Sequence, residues 1–239
     1  MSEAGQAVIL VGGRGTRLGA LTDTTPKPLL PVAGRPFLSH MVERLARQGF
    51  RDILLLTGYL AAQFDAFRAE WQDRGVRVTC RTEPEPAGTG GALRLAQPDL
   101  APAFLLLNGD SLFDINLTAF TLPMLPTGID GRLALRAVPV ADRYGVVTLD
   151  QGHVTGFREK GGVTGPGLIN AGIYYLRRDV AAMLPPGFCS LETDLFPRLA
   201  GAGRLEGRLQ EAYFLDIGIP SDFARAQKDF DRGGLAFLP

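Results

Sequence analysis

Cysteine and histidine are scarce in this sequence, with two of each among 239 residues and a single tryptophan. Cys80 and Cys189 are too few for a disulfide framework, and such usage fits a reducing compartment. His40 falls in an amphipathic segment and His153 in an expected turn. They have no ligand spacing, so neither a histidine metal site nor histidine acid–base chemistry is expected. An excess of one charge is also absent. Lys+Arg 25 balances Asp+Glu 25, which gives no reason to expect nucleic acid or an anionic membrane as a partner. No apolar run reaches membrane-spanning length, and no charged segment followed by an apolar one opens the chain. The expectation is a soluble, cytoplasmic protein. Internal repeats and low-complexity linkers are missing too.

What is present is enough apolar material, 46% of residues, to bury one sizeable core. Strand-like runs at 8–11, 53–57, 76–80 and 104–107, most of them continuously apolar, read as strands of a buried sheet. They alternate with helix-like segments at 37–48, 60–71 and 91–96. That order predicts an α/β fold with a Rossmann-like, mostly parallel mixed sheet and helices on both faces. After residue 130 the runs alternate or carry β-branched and aromatic residues between glycine-rich turns. They predict an antiparallel excursion over 132–138, 145–149, 153–157 and 172–176. A short helix is expected at 192–199 and a closing helix at 221–230 capped by Ser221. Phe64, Phe67 and Trp71 share helical spacing and read as core.

The first strand breaks into Gly12-Gly13-Arg14-Gly15-Thr16-Arg17-Leu18, and a second basic turn follows at Thr25-Pro26-Lys27-Pro28-Leu29. Glycines let backbone amides approach phosphate oxygens, and Arg17 and Lys27 would neutralise the charge. A Walker loop would end in Gly-Lys-Ser/Thr, and the third glycine of the dinucleotide fingerprint is missing, since the next is Gly19. The loop is a phosphate seat of another kind.

These two segments together resemble the signature of the sugar-1-phosphate nucleotidylyltransferases, the nucleoside-diphosphate-sugar pyrophosphorylases. The resemblance implies one domain over 1–239, with 1–118 as the nucleotide half and 119–239 as the sugar-phosphate half. It implies NTP and a sugar 1-phosphate as substrates, Mg²⁺ as cofactor, and a monomer or small homo-oligomer. Leu10, Gly12, Gly13, Gly15, Thr16 and Arg17 would then bind the nucleotide, with Arg17 on the leaving phosphates.

Asn108-Gly109-Asp110 ends an apolar strand, and Leu215-Asp216-Ile217-Gly218 sets one charge among apolar neighbours. Such a carboxylate is costly unless paired or bound to a cation, although a strand-end aspartate also serves as a turn or cap. The family resemblance makes Asp110 and Asp216 the metal ligands. Asp114 is the rival second ligand and reads as a loop residue before a helix start. Arg158-Glu159-Lys160 resembles the family's sugar-binding Glu-Lys pair, with a solvated turn as the alternative. Asn170-Ala171-Gly172 and Tyr144-Gly145-Val146 resemble its sugar-contacting Asn and Gly. The resemblance therefore gives Lys27, Asn108, Gly145, Glu159, Lys160 and Asn170 to the sugar phosphate. Arg17, Lys27, Asp110 and Lys160 become the catalytic set.

Glu85-Pro86-Ala87-Gly88-Thr89-Gly90-Gly91 resembles the nucleobase loop, with Ala87 where a bulkier apolar residue is usual. Glu85, Gly88, Thr89 and Gly90 join the nucleotide set. A carboxylate at Glu85 can accept from guanine N1–H and N2–H₂ but suits uracil poorly, which favours GTP. The closing Phe214–Phe223 stretch most resembles guanylyltransferases acting on manno-heptose 1-phosphate, with mannose 1-phosphate enzymes nearly as close. Uridylyl transfer to N-acetylmuramate or glucose 1-phosphate, a catalytically inactive binding module and cytidylyl transfer to a non-sugar phosphate stay open at this point.

Overall fold

A computed structural model describes residues 5–142, 144–158 and 165–231. The chain divides into two compact units that interleave along the sequence. The first takes Met1–Pro86, Leu107–Thr118 and Tyr213–Pro239, the second Ala87–Leu106 and Ala119–Ala212. In chain order, β1 (Ala7–Leu10) leads into the glycine loop and a hairpin of β2 (Pro31–Val32) and β3 (Arg35–Pro36). Helix α1 (Phe37–Arg47), β4 (Asp52–Thr57), α2 (Phe64–Asp73) and β5 (Arg77–Thr82) follow. Next come α3 (Gly88–Leu95), β6 (Ala103–Asn108), β7 (Ser111–Phe113) and α4 (Leu117–Thr121). The second unit then holds β8 (Gly131–Val138), β9 (Val146–Asp150), β10 (His153–Arg158), β11 (Gly167–Arg177), α5 (Phe196–Gly201) and β12 (Leu205–Leu209). Strand β13 (Phe214–Asp216) and α6 (Pro220–Asp231) return to the first.

In the first unit β4 pairs in parallel with both β1 and β5, with Ala7 opposite Ile53 and Ile53 opposite Val78. Ala7, Ile9, Ile53 and Leu55 are fully buried, which is why these strands read as continuous apolar runs rather than alternations. Phe37, Leu38, Met41, Val42 and Leu45 give α1 a buried face. Phe64, Phe67 and Trp71 are buried on α2, as their spacing predicts.

The second unit is the expected antiparallel excursion with one parallel member. Strand β11 runs antiparallel to β8 and β9, β10 antiparallel to β9 and β12, and β12 parallel to β8. Its core holds Leu133, Leu135, Tyr174, Leu176 and Leu205. The buried Arg132 guanidinium is satisfied by Glu206 Oε2 at 2.8 Å and the Phe120 and Pro123 carbonyls at 3.0 and 2.9 Å.

Several expectations are corrected. The helix at 91–96 starts earlier, at Gly88. The segment at 192–199 is two elements, a π-helical turn over Leu191–Leu195 and then α5, whose first turn accommodates the missing N–H of Pro197. Ser221 lies inside α6 rather than capping it, because Pro220 takes the first helical position. His153 is not in a turn but opens β10, opposite Asp150. Among the described residues no helix is long and apolar enough to cross a membrane.

Candidate active site

The glycine loop leaves the end of β1 already anchored. The Val11 amide donates to the Leu56 carbonyl at 2.9 Å and the Tyr59 amide to the Gly12 carbonyl at 3.2 Å. Gly15 adopts a left-handed φ of 66°, where a side chain would also meet Lys27 Cβ at 3.1 Å. The far end of the loop is tied down by the Tyr59 hydroxyl on the Asp23 carbonyl and Gln63 Nε2 on the Thr24 carbonyl, both at 2.7 Å. Gly13, Thr16 and Arg17 are left exposed.

The two candidate metal aspartates are brought together by a ribbon too short to read from periodicity. Strand β7 pairs antiparallel with β13, setting Ser111 opposite Asp216, and the Ile217 amide donates to the Asp110 carbonyl at 2.9 Å. The Gly109 amide donates to the Leu10 carbonyl at 2.9 Å, which fixes Asp110 beside the start of the phosphate loop. Lys27 Nζ, only 8% exposed as a residue, contacts Asp110 Oδ2 at 2.5 Å, and Ser111 Oγ donates to Asp110 Oδ1 at 3.1 Å. The Gly218 amide donates to Asp216 Oδ1 at 2.7 Å. A side chain at Gly218 would begin 3.1 Å from Arg17 Nη2, so glycine is what admits the guanidinium there.

The charges in this cluster shift one another. Burial alone would raise the Asp110 carboxyl, but the Lys27 ammonium and the Ser111 hydroxyl outweigh it and hold it below the ordinary range. Asp216 moves the other way. Burial and the neighbouring Asp110 charge raise it, against the Gly218 amide, Lys27 and Arg17. Two carboxylates pushed apart in this manner and flanked by two cations make this cluster the candidate site.

Asp114 does not join them. Its Oδ1 accepts from Arg44 Nε at 2.9 Å in a buried ion pair, and Arg44 also donates to the Ile115 carbonyl. The rival ligand is the expected loop residue ahead of α4, and through Arg44 it is also a structural anchor for α1. Asn108 Oδ1 is buried with no partner among the described residues, an acceptor in want of a donor at the end of β6. His40 is buried, with Nε2 2.9 Å from the Val32 carbonyl, and has the structural place expected of it.

Glu83 also borders the loop. Its carboxylate lies against Gly12, where a Cβ would sit 3.0 Å from Oε1, and against Gly58, where a side chain would collide with it. Glu85, two residues on, is exposed. The tandem Glu83-Pro84-Glu85-Pro86 was the available signal, but nothing in it ranks one glutamate above the other.

In the second unit, Gly88, Thr89 and Gly90 form the start of α3. The Gly145 carbonyl accepts from the Asn170 amide at 3.4 Å, so these two sugar-end candidates are neighbours. The Asn170 side chain is held at both ends, Oδ1 by the Gly172 amide at 3.0 Å and Nδ2 by the Tyr174 hydroxyl at 2.9 Å. Glu159 and Lys160 lie outside the described residues.

The family model described as "Nucleotidyl transferase" matches residues 6–233. The chain is 36% identical over 232 residues to the mannose-1-phosphate guanylyltransferase of Mycobacterium tuberculosis, covering 95% of this chain and 65% of that one. It is 33% identical over 227 residues to the D-glycero-alpha-D-manno-heptose 1-phosphate guanylyltransferase of Aneurinibacillus thermoaerophilus, covering 94% and 97%. The crystal structure of HddC from Yersinia pseudotuberculosis complexed with GMP-PN superposes with a TM-score of 0.82 at 33% identity, over 95% of this chain and 100% of that one.

Proposed function

Since this chain belongs to the nucleotidyl transferase family, we propose that it is a cytoplasmic enzyme that transfers the guanylyl group of GTP to a mannose-type sugar 1-phosphate. The acceptor is mannose or a manno-heptose 1-phosphate, and pyrophosphate is released. The observation that carries the reading is the meeting of Arg17, Lys27, Asp110 and Asp216 in one network beside the glycine loop. The guanine and the mannose-type sugar are supported by the names of the two relatives and by GMP-PN in the similar structure.

A sugar phosphate oxygen attacks the α-phosphorus in line. The new P–O bond forms as the bond to the bridging oxygen of departing pyrophosphate breaks. A phosphate oxyanion needs no activating base, so catalysis is positioning and charge neutralisation. The amides and glycines of Gly12–Gly15 seat the β- and γ-phosphates, and Arg17 stabilises the charge that grows there. Lys27 is a point charge held by Asp110 within the same cluster and neutralises the α-phosphate.

Asp110 and Asp216 fit a hard divalent cation completed by substrate oxygens. Among the described residues no group of three or more His, Cys, Asp or Glu offers a fuller cage. They would hold Mg²⁺, which when bound supplies Lewis-acid neutralisation of the reacting phosphates. Asn108, Gly145, Asn170, Glu159 and Lys160 serve the sugar phosphate. For the base, Glu83 is better placed than Glu85, because its carboxylate lies against the glycine loop while Glu85 is exposed. A pyrophosphate-release screen of four nucleoside triphosphates against a panel of sugar 1-phosphates tests the proposal. GTP with mannose or manno-heptose 1-phosphate should be the best pair, and a preference for UTP or dTTP would defeat it.

A further inference from the structure

The loop reading puts Thr89 at the nucleotide, yet its hydroxyl is committed elsewhere. It donates to Glu192 Oε2 at 3.0 Å and accepts the Leu191 amide at 2.9 Å. The same Glu192 oxygen accepts from Ser190 Oγ at 2.8 Å, and Ser190 Oγ accepts the Glu192 amide at 3.1 Å. The main chain repeats the connection. The Cys189 amide donates to the Ala87 carbonyl at 3.0 Å, and the Cys189 carbonyl accepts the Gly90 and Gly91 amides at 2.9 and 3.3 Å. A segment far along the chain is therefore a template for the turn that begins α3. That segment continues into the π-helical turn Leu191–Leu195, a form that proteins retain mostly where a particular geometry is in use.

We infer that Glu192 is a positioning residue for the nucleoside triphosphate, acting through Thr89 on the Gly88–Gly91 turn. This rests on reading the segment that starts at Glu85 and runs through Gly91 as the base loop. A hydroxyl-to-carboxylate bond is charge-assisted, and an anion beside the first turn of α3 is favoured by the helix dipole. Held this way, the turn is ordered before nucleotide arrives, and binding does not have to supply that ordering. The sugar phosphate gains nothing from it.

Steady-state kinetics of Glu192→Ala and Thr89→Val, with each substrate varied in turn and Tm measured alongside, provide the test. Each variant should raise KM for the triphosphate by about tenfold, the scale of one lost hydrogen bond to a charged group. KM for the sugar phosphate should stay within about twofold, and the double variant should be no worse than the worse single one, since the two residues act as one unit. Glu192→Gln, which keeps an acceptor for Thr89, should recover most of the loss. A fall in Tm with both Michaelis constants unchanged, or an equal rise in both, would overturn the inference and leave Glu192 merely structural. A wild type that turns over no triphosphate would instead sink the reading of the family activity itself.

Discussion

Two glycine clusters look alike in the sequence, Gly12-Gly13-x-Gly15 in the first unit and Gly88-x-Gly90-Gly91 in the second, but they are crowded to different degrees. Around the first the space is open at Gly13 alone, where a side chain would meet nothing within 4 Å; a Cβ at Gly12 would lie 3.0 Å from the Glu83 carboxylate and one at Gly15 would lie 3.1 Å from Lys27 Cβ. Around the second it is already filled by the protein. A Cβ at Gly88 would collide with the Cys189 carbonyl and one at Gly91 with the Gly187 carbonyl, while one at Gly90 would lie 2.9 Å from Cys189 Sγ. The first cluster leaves open space at Gly13, and the second allows two stretches of backbone to touch. A glycine-rich motif therefore does not by itself say that a ligand approaches it.

The charges beside the first cluster should carry the largest effect. Asp110→Asn removes one negative charge at nearly constant volume, and turnover should fall by on the order of 10²-fold or more. Circular dichroism should show an unchanged fold. A rate near that of wild type at saturating Mg²⁺ would remove Asp110 from the metal site.

Alanine at the glycines themselves breaks or sharpens the comparison directly. Gly91→Ala should cost about 1–3 kcal/mol in chemical denaturation, the range for forcing a methyl into packed surroundings. Gly13→Ala should leave the unfolding midpoint within about 0.5 kcal/mol, as an exposed substitution does. Equal losses from the two would show that the clusters do not differ as described.

The sequence carried the first unit well where its signals are long. The apolar runs of β1 and β4 are buried on both faces and so announce themselves, and Asp110 stands out because it follows one of them. Asp216 was legible as an isolated charge but not its link to Asp110, since β7 and β13 are three residues each and show no period. Asp114 is the loop residue it looked like, but its ion pair was not legible because Arg44 is 70 positions away. The template formed by 187–192 was invisible for the same reason. Its contacts with the α3 turn are long-range main-chain hydrogen bonds, and a π-helical turn has no pattern of its own at this length.

Glu83 is the glutamate proposed to read the base. If it does, Glu83→Gln would set a donor against the guanine N–H groups, and the preference for GTP over UTP should fall by roughly 1–3 kcal/mol. Glu85→Gln, at the exposed position, should leave that ratio unchanged. Competition kinetics with both triphosphates decides it, and the reverse pattern would return the role to Glu85.

The smallest effect expected is a gain in stability. Asp216 has a raised carboxyl in the folded state, through burial and the charge of Asp110. The native protein therefore holds that proton more tightly than the unfolded chain, and stability is lost as pH rises from the unfolded carboxylate range through the raised value. Above the unfolded carboxylate range the buried group therefore lowers stability. Asp216→Asn removes it while its amide oxygen still accepts the Gly218 N–H. The variant should be inactive yet more stable at pH 7, on the order of 0.5–2 kcal/mol, and the gain should vanish once pH falls below the carboxylate range. Glu192→Ala in the second unit should show no such gain, since its carboxylate accepts hydrogen bonds from Thr89 and Ser190 that the variant loses. Thermal unfolding of both variants at pH 7 and at about pH 3.5, near the unperturbed carboxylate values, separates the two cases. An Asp216→Asn protein less stable than wild type at neutral pH would mean that Lys27 and Arg17 over-compensate the repulsion, and that the cluster is held together by Asp216 rather than strained by it.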